Sequence, residues 1–465
     1  MQIKGIERYL ALFIPFFLAV IFQKDPATSY LISWSGSFFI FLITLSGWVK
    51  PLPNDRTLGE QLMRPLFIMQ IIFAGFMSCT SIFYFLDTLG YNDFKKISNF
   101  YLVDQSRIML LAQCQRYYCL AHASFVTGIL VCMKYPKKKK YHIENNTLAN
   151  LLLRIALISF PVSIFFLKIP GLSQFYFQLS ALSFIAGTLA LAFAIPLKKA
   201  LETTICSFLY AFNLYQAFHS GFKEPIIISL LVLGVFLYPI YKKLVISIFG
   251  PLLFISFLLL PSYVNSFRQN AWSGEADETE SSQIALDAAL NNDNDESNWD
   301  FFVYRLSEVD MFTVFIRSTP ENVDYYGATL IEQSIIAIIP RAFWPEKPIT
   351  ENLVMERVYN AGVVNRLSTV SAKPAFVVDA YLSGGPWGII FYLFLYGAIA
   401  QLISIKAESL FGGYVLGSAL IFSGLFQILW RGLSFEFLIN SVFWSYISMI
   451  IIFNILKRAK ILKPV

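Results

Sequence analysis

The chain has 465 residues, of which 56% are hydrophobic and 14% charged, with a formal net charge of +6. Soluble globular domains carry about a quarter charged residues, so this composition excludes that class and implies a membrane protein. The positive excess flanks apolar runs, which argues for membrane orientation rather than nucleic-acid binding. Cys79, Cys114, Cys119, Cys132 and Cys206 all lie in or beside those runs, so neither a disulfide framework nor a cysteine metal site is expected.

In chain order, apolar runs near the length needed to cross about 30 Å of hydrocarbon cover 9–22, 30–49, 65–85, 108–133, 148–167, 174–195, 200–219, 225–241 and 244–263. After a long interruption come 385–404, 411–429 and 437–456. The runs are too continuous for the alternating strands of an outer-membrane barrel. The expected fold is therefore an all-α polytopic membrane protein with about twelve transmembrane helices. Residues 1–263 hold the first nine, 264–384 a large loop, and 385–465 the last three. The first run follows Lys4 and Arg8 without a small-residue cleavage site and reads as a retained span. If every run crosses, the Lys/Arg-rich connections fall on one side, which places both termini in the cytoplasm.

The large loop changes composition along its length. Residues 273–300 are acidic and amide-rich and read as a flexible linker. They lack the glycine and terminal glutamate spacing of an EF-hand. From Phe301 apolar residues recur among charges, predicting a packed helix, and 328–339 and 351–361 predict two further short ones. Between those two lies Ile339-Pro340-Arg341-Ala342-Phe343-Trp344-Pro345-Glu346-Lys347-Pro348. Its three prolines forbid a continuous helix and stiffen the backbone, so Arg341 and Lys347 read as a fixed phosphate clamp beside Trp344. The Gly384-Gly385-Pro386 sequence then marks the entry to the tenth span.

Motifs for nucleotide cradling, zinc proteolysis or serine nucleophiles are lacking, and His122, His142 and His219 all lie outside the loop. Histidine catalysis in the loop is thereby excluded. What remains is an outer set of cations, Arg305, Arg317, Arg341, Lys347, Arg357, Arg366, Lys373 and Arg431, interspersed with carboxylates that can pair with them. Within the fourth span, Arg116 lies too deep for easy snorkelling and is expected to line a cavity.

The order Arg305, Gly327, IPRAFWPEKP over 339–348 and SAKPAFVVDAYLSGGPWGII over 371–390 resembles the Wzy-type oligosaccharide repeat-unit (O-antigen) polymerases. The resemblance implies a GT-C-like glycosyltransferase fold in the bacterial inner membrane, with the 264–384 loop periplasmic and its 301–384 part catalytic. It implies no metal and no nucleotide-sugar cofactor. The implied substrate is an undecaprenyl-pyrophosphate-linked oligosaccharide, with membrane lipids and a chain-length regulator protein as further partners. On that reading Arg341 and Lys347 match the signature cations and Asp379 the acidic residue before the glycines. Arg305, Arg341, Lys347, Arg431 and Arg116 would bind the pyrophosphate, because departure of that group needs charge neutralisation. Asp379, Glu332 and Glu436 are the candidate bases for the acceptor hydroxyl. A flippase for lipid-linked glycans and an O-antigen ligase remain alternatives. The one-sided loop favours an enzyme over the flippase, and its lack of histidine argues against the ligase.

Overall fold

The structure, a computed structural model, describes residues 5–57, 59–98, 100–135, 141–219, 223–273, 277–291, 298–368, 371–412 and 414–465. Among the described residues it is all-α apart from two minimal strand pairs, β1 (Tyr91–Asn92) with β2 (Lys95–Lys96) and β3 (Tyr141–His142) with β4 (Lys463–Pro464). The N-terminal part comprises α1 (Ile6–Leu10), α2 (Ile14–Ile21), α3 (Pro26–Leu45), α4 (Pro65–Ile72) and α5 (Ser81–Thr88), with a π-turn at Phe73–Ser78 between the last two. Next come α6 (Gln105–Cys132), α7 (Asn145–Lys168), α8 (Gln174–Ala194), α9 (Ala200–Phe218) and α10 (Lys223–Ser273). The loop region contributes α11 (Glu278–Asn291), α12 (Asn298–Phe301), α13 (Val309–Ser318), α14 (Thr329–Ile338) and α15 (Thr350–Asn360). The chain ends with α16 (Phe376–Phe411), α17 (Tyr414–Phe422), α18 (Ile428–Trp430) and α19 (Phe435–Arg458).

Among the described residues, seven helices are long and apolar enough to cross a membrane: those over Pro26–Leu45, Pro65–Thr88, Asn146–Lys168, Gln174–Ala194, Pro225–Ser256, Phe376–Phe411 and Phe435–Arg458. Each of the twelve apolar runs is helical over most of its described residues, but their limits differ in informative ways. The runs 225–241 and 244–263 form the two helices of α10 (Lys223–Ser273), separated by the non-helical Tyr241 (φ −117°, ψ 43°). Ile226 and Leu230 of the first pack with Leu260 of the second, so the chain doubles back between the two expected runs. The tenth run starts early, because a helical arm from Phe376 precedes it. The arm breaks at Gly384–Gly385, where Gly385 takes a φ of +61° that a residue with a Cβ rarely adopts.

The acidic segment 273–300 corrects the expectation of a flexible linker. Much of it forms α11, whose Ala285 and Ala289 pack against Tyr263, Val264 and Phe267 of α10. Small apolar residues four apart give a narrow buried stripe on an otherwise acidic helix, a signal that composition alone averages away. Residues 274–276 and 292–297 lie outside the described residues.

At the centre stands α6, packed against α16, α3 and the π-turn. Its polar residues are bonded across helices. Gln115 accepts from Ser81 Oγ (2.8 Å) and donates to Ser78 Oγ (2.9 Å), while His122 Nε2 lies 3.2 Å from Gln70 Oε1. Such partners are what a polar group needs where no water can reach it. The closest crossing, between α6 and α16, uses glycine on both sides. A Cβ at Gly128 would overlap the Phe394 carbonyl oxygen, and one at Gly397 the Phe125 carbonyl oxygen.

The connections gather at two ends of the bundle. At one end, Arg64 binds Asp55 and Glu408, Lys50 binds the Leu130 carbonyl, and the strand pair β3 (Tyr141–His142) and β4 (Lys463–Pro464) joins distant segments. At the other end, Arg107 binds Asp87, Tyr84 donates to Asp310, and Gly171 meets Ala342. These are the two groups of connections that alternating crossings require.

The glycine crossing predicts that Gly128→Ala or Gly397→Ala costs about 1–3 kcal/mol from overpacking against backbone. Gly75→Ala, where an added Cβ meets nothing within 4 Å, should be neutral or stabilising. Thermal unfolding of the detergent-solubilised protein checks both, and equal midpoints for Gly128→Ala and Gly75→Ala would contradict the close approach.

Candidate functional site

The 339–348 turn begins where Pro340 stops α14, leaving the last carbonyls of that helix without amide partners. Side chains supply the donors. Lys347 Nζ donates to Ala337 O (3.1 Å) and Ile339 O (2.6 Å), and Trp444 Nε1 donates to Ile338 O (3.0 Å). Arg341 reaches along its own turn to Pro345 O (3.2 Å) and Pro348 O (3.1 Å). The turn is thus a self-stapled element, with Lys347 only 6% exposed. Burial and the neighbouring Arg341 guanidinium hold the Lys347 ammonium below the usual lysine range. Rather than being a mobile point charge, Lys347 is a fixed cation at a helix C-terminus, where the dipole favours it.

The turn docks on the 169–173 connection, and the Ala342 amide donates to Gly171 O (3.3 Å). Gly171 has φ +80°, and a Cβ there would sit 2.6 Å from the Ala342 nitrogen. Only glycine permits both the backbone conformation and the approach. Phe175 on α8 packs edge-on against Trp444 of α19, with centroids 4.7 Å apart, so α8, the turn and α19 enclose a common space.

That space is a cavity of about 400 Å³ between the start of α8, the turn, the start of α15 and the 428–441 segment. Four cations line it, Arg341, Lys347, Lys373 and Arg431, with two carboxylates, Glu351 and Glu436. Lys373 pairs with Glu351 at 3.0 Å and lies over the Phe437 ring. Arg431 is exposed, and its side chain is the cavity cation not bonded to protein among the described residues. Gln174, Gln178 and Asn440 add neutral polar groups to the wall.

Behind Glu436 lies a buried ion cluster. Arg357 donates to both Glu436 oxygens, Nη1 to Oε1 at 2.7 Å and Nη2 to Oε2 at 2.8 Å, and Nη2 also reaches Asp379 Oδ2 at 3.0 Å. The Phe435 amide donates to the same Asp379 oxygen at 2.8 Å. Arg357 is 1% exposed and both carboxylates are fully buried. Burial opposes the charge on Arg357, yet Asp379 and Glu436 outweigh it and hold its pKa above the ordinary value. Two carboxylates share one guanidinium, and of the two only Glu436 lines the cavity.

Of the residues singled out in the sequence, Arg341, Lys347, Arg431 and Glu436 come together here. Asp379 connects to them only through Arg357 and does not line the cavity. Glu332 is exposed in the first turn of α14, outside the cavity wall. Arg116 lies on α6, where Nη1 donates to Ser29 Oγ at 2.9 Å, away from this cavity. The side chain of Arg305 lies outside the described residues. As sites rather than charges, Glu351, Lys373, Gln174, Gln178 and Asn440 escaped the sequence reading. The available signals were the spacing of Gln174 and Gln178, and of Glu436 and Asn440, each pair four apart on one helical face. Among the described residues no three His, Cys, Asp or Glu side chains are grouped to hold a metal ion.

The family described as Domain of unknown function (DUF8712) matches residues 14–464. The chain belongs to that family. The match takes in every element of the cavity, from α8 to α19, so the site is part of the family domain rather than an appendage to it. No curated protein and no solved structure matches the chain.

Removing Arg357 would leave two buried carboxylates facing each other without a counter-charge. Arg357→Met is therefore expected to cost about 3–5 kcal/mol, read as a lower unfolding midpoint in detergent. An unchanged midpoint would mean that water entering the cavity already solvates the cluster.

Proposed function

We propose that the protein is a glycosyltransferase that polymerises undecaprenyl-pyrophosphate-linked oligosaccharide repeat units at the periplasmic face of a bacterial inner membrane. The observation that carries this reading is the convergence of Arg341, Lys347, Arg431 and Glu436 on one cavity at one end of an apolar helical bundle. A lipid pyrophosphate donor needs cations at the bundle end where its head group emerges. An acceptor sugar hydroxyl needs a carboxylate nearby. The gathering of connections at two ends supports a topology of twelve crossings with both termini cytoplasmic, in a GT-C-like arrangement.

In the proposed reaction the acceptor hydroxyl oxygen bonds to the anomeric carbon of the donor sugar. The bond from that carbon to the pyrophosphate oxygen breaks, and its electron pair leaves with the lipid pyrophosphate. Arg431 meets the charge that develops there, because its guanidinium is not tied to a protein acceptor among the described residues. Arg341 and Lys347 contribute a fixed positive field, while their own bonds keep the turn rigid. The hydroxyl proton passes to Glu436, the cluster carboxylate that lines the cavity. Glu351, held by Lys373, is the other cavity carboxylate.

Reconstitution into liposomes with a lipid-linked repeat unit, followed by separation of products by length, tests the reading. Polymer is expected from the unmodified chain, and Arg431→Ala is expected to slow chain extension roughly 100-fold without lowering the unfolding midpoint. Glu436→Gln should abolish extension, whereas Glu351→Gln should leave it measurable. Transbilayer movement of the lipid without a new glycosidic bond would overturn the assignment in favour of a flippase.

A further inference from the structure

The connection from α5 to α6 lies at the same end of the bundle as the cavity, and the reaction does not use it. It opens with the β1–β2 hairpin, whose turn residues Asp93 and Phe94 take φ of +47° and +62°. Tight hairpins require such left-handed turns, but a bulky side chain rarely adopts one. Phe94 is held there by its ring, which meets Trp299 edge-on at 5.2 Å and Phe83 at 6.1 Å between centroids. The return stretch is fixed as well. The Ile97 amide donates to Gly90 O at 2.9 Å, and Tyr101 covers Gly90 so closely that an added Cβ would overlap its ring. With Tyr101 turned inward, the side chains on either side of it point out. Phe100 is 96% and Leu102 92% exposed, and Ile97 is 64% exposed.

Large apolar side chains this open, on a connection held in one conformation, mark an interaction surface. Its position and charge say what covers it. The loop follows directly on the helix over Pro65–Thr88, which is long and apolar enough to cross a membrane, so it leaves the bundle where hydrocarbon gives way to head groups. Met109 on α6 is exposed too, which carries the apolar exposure into the next run. Of the nearby acids, Asp87 is bound by Arg107 and Asp104 caps α6 by accepting from the Ser106 and Arg107 amides. That leaves Asp93 against Lys95 and Lys96, all three exposed, so the tip is net positive. Apolar and aromatic groups beside lysines are the composition of an element lying in the membrane interface. The rings and alkyl groups sink below the head groups while the long lysine stems carry their charge up among the phosphates.

We propose that this connection is an interfacial anchor for the lipid leaflet at the cavity end of the bundle. Ile97, Phe100 and Leu102 enter the upper acyl region, and Lys95 and Lys96 meet anionic phospholipid head groups. Through Phe94 the anchor also sets the depth of the loop region, because Trp299, which its ring contacts, donates to Asp87 at 3.4 Å. The start of the loop region is thereby held at the head-group level. The proposal goes beyond the reaction and holds whatever the cavity transfers.

The test uses the full chain with photoreactive benzoylphenylalanine replacing Phe100, in nanodiscs of equal parts phosphatidylglycerol and phosphatidylcholine. After irradiation, intact-mass spectrometry should show the chain carrying one phospholipid. Phosphatidylglycerol adducts should exceed phosphatidylcholine adducts roughly fivefold. Lys95→Gln combined with Lys96→Gln should bring the two adducts to parity and leave the unfolding midpoint unchanged, since both side chains are exposed. With the photoreactive residue moved to position 97, Leu102→Ser should lower the total lipid adduct. Cross-linking to a second copy of the chain, or irradiation without any lipid adduct, overturns the anchor. Equal adducts to the two lipids in the chain with both lysines overturn their part in it. None of these readouts involves the cavity, so a failure of the proposed function, seen as absence of polymer in liposomes, is distinguishable from a failure of the anchor.

Discussion

A guanidinium held between two carboxylates, all three out of water, ties the loop region to the bundle. Arg357 belongs to α15, Asp379 to the arm of α16 before the glycine break, and Glu436 to the first turn of α19. Desolvating three charges is unfavourable unless each is paired and hydrogen-bonded. Arg357 meets that condition with three bonds to its partners, and the Phe435 amide adds a fourth to Asp379. Segments 22 and 79 residues apart along the chain are thereby brought to one point. Glu436 cannot turn away from the cavity without breaking a bidentate pair, so the cluster that fixes the fold also fixes the direction of its one cavity-facing carboxylate.

The same requirement, that polar groups away from water find partners, explains the central helix. On α6 the glutamine, the histidine and Arg116 look like a cavity lining when read along the chain. In three dimensions they face Ser78, Ser81, Gln70 and Ser29 on neighbouring helices. Interhelical bonds of this kind supply the specificity that apolar contact lacks within a lipid environment.

How much could be read from the chain depended on whether the signal was local. The helices were legible because crossing hydrocarbon demands long apolar runs, and each of the twelve runs is helical over most of its described residues. The short helices α14 and α15 were legible from their apolar spacing and from the prolines between them. The helix α11 was not, because two alanines in an acidic stretch carry too little hydrophobicity to separate a packed helix from a linker. The break within α10 was legible, since Lys242 and Lys243 mark a connection and Tyr241 beside them is non-helical. Within the site, Arg341, Lys347, Arg431 and Glu436 were visible as charges placed where an apolar chain has few. The roles of Lys347 and Asp379 were not, because whether a charge faces a carbonyl, another charge or a cavity depends on residues far away in sequence.

The two ways in which this protein uses cations divide the work at the cavity. Arg341 and Lys347 donate to backbone carbonyls, which gives the proline-rich turn one conformation and presses it against Gly171. Their charge remains, but their donors are engaged, so they shape the field more than they grip a ligand. Arg431 has the opposite balance: it sits beyond the end of α18, exposed, with its guanidinium donors available. A rigid positive wall with one unengaged arginine suits a group whose charge grows as a bond breaks, because the wall needs no rearrangement and the arginine can follow the departing oxygen. On the same cavity, Glu436 is held by Arg357. On the proposed reading, Arg431 meets the departing pyrophosphate while Glu436, its direction fixed by Arg357, takes the acceptor proton.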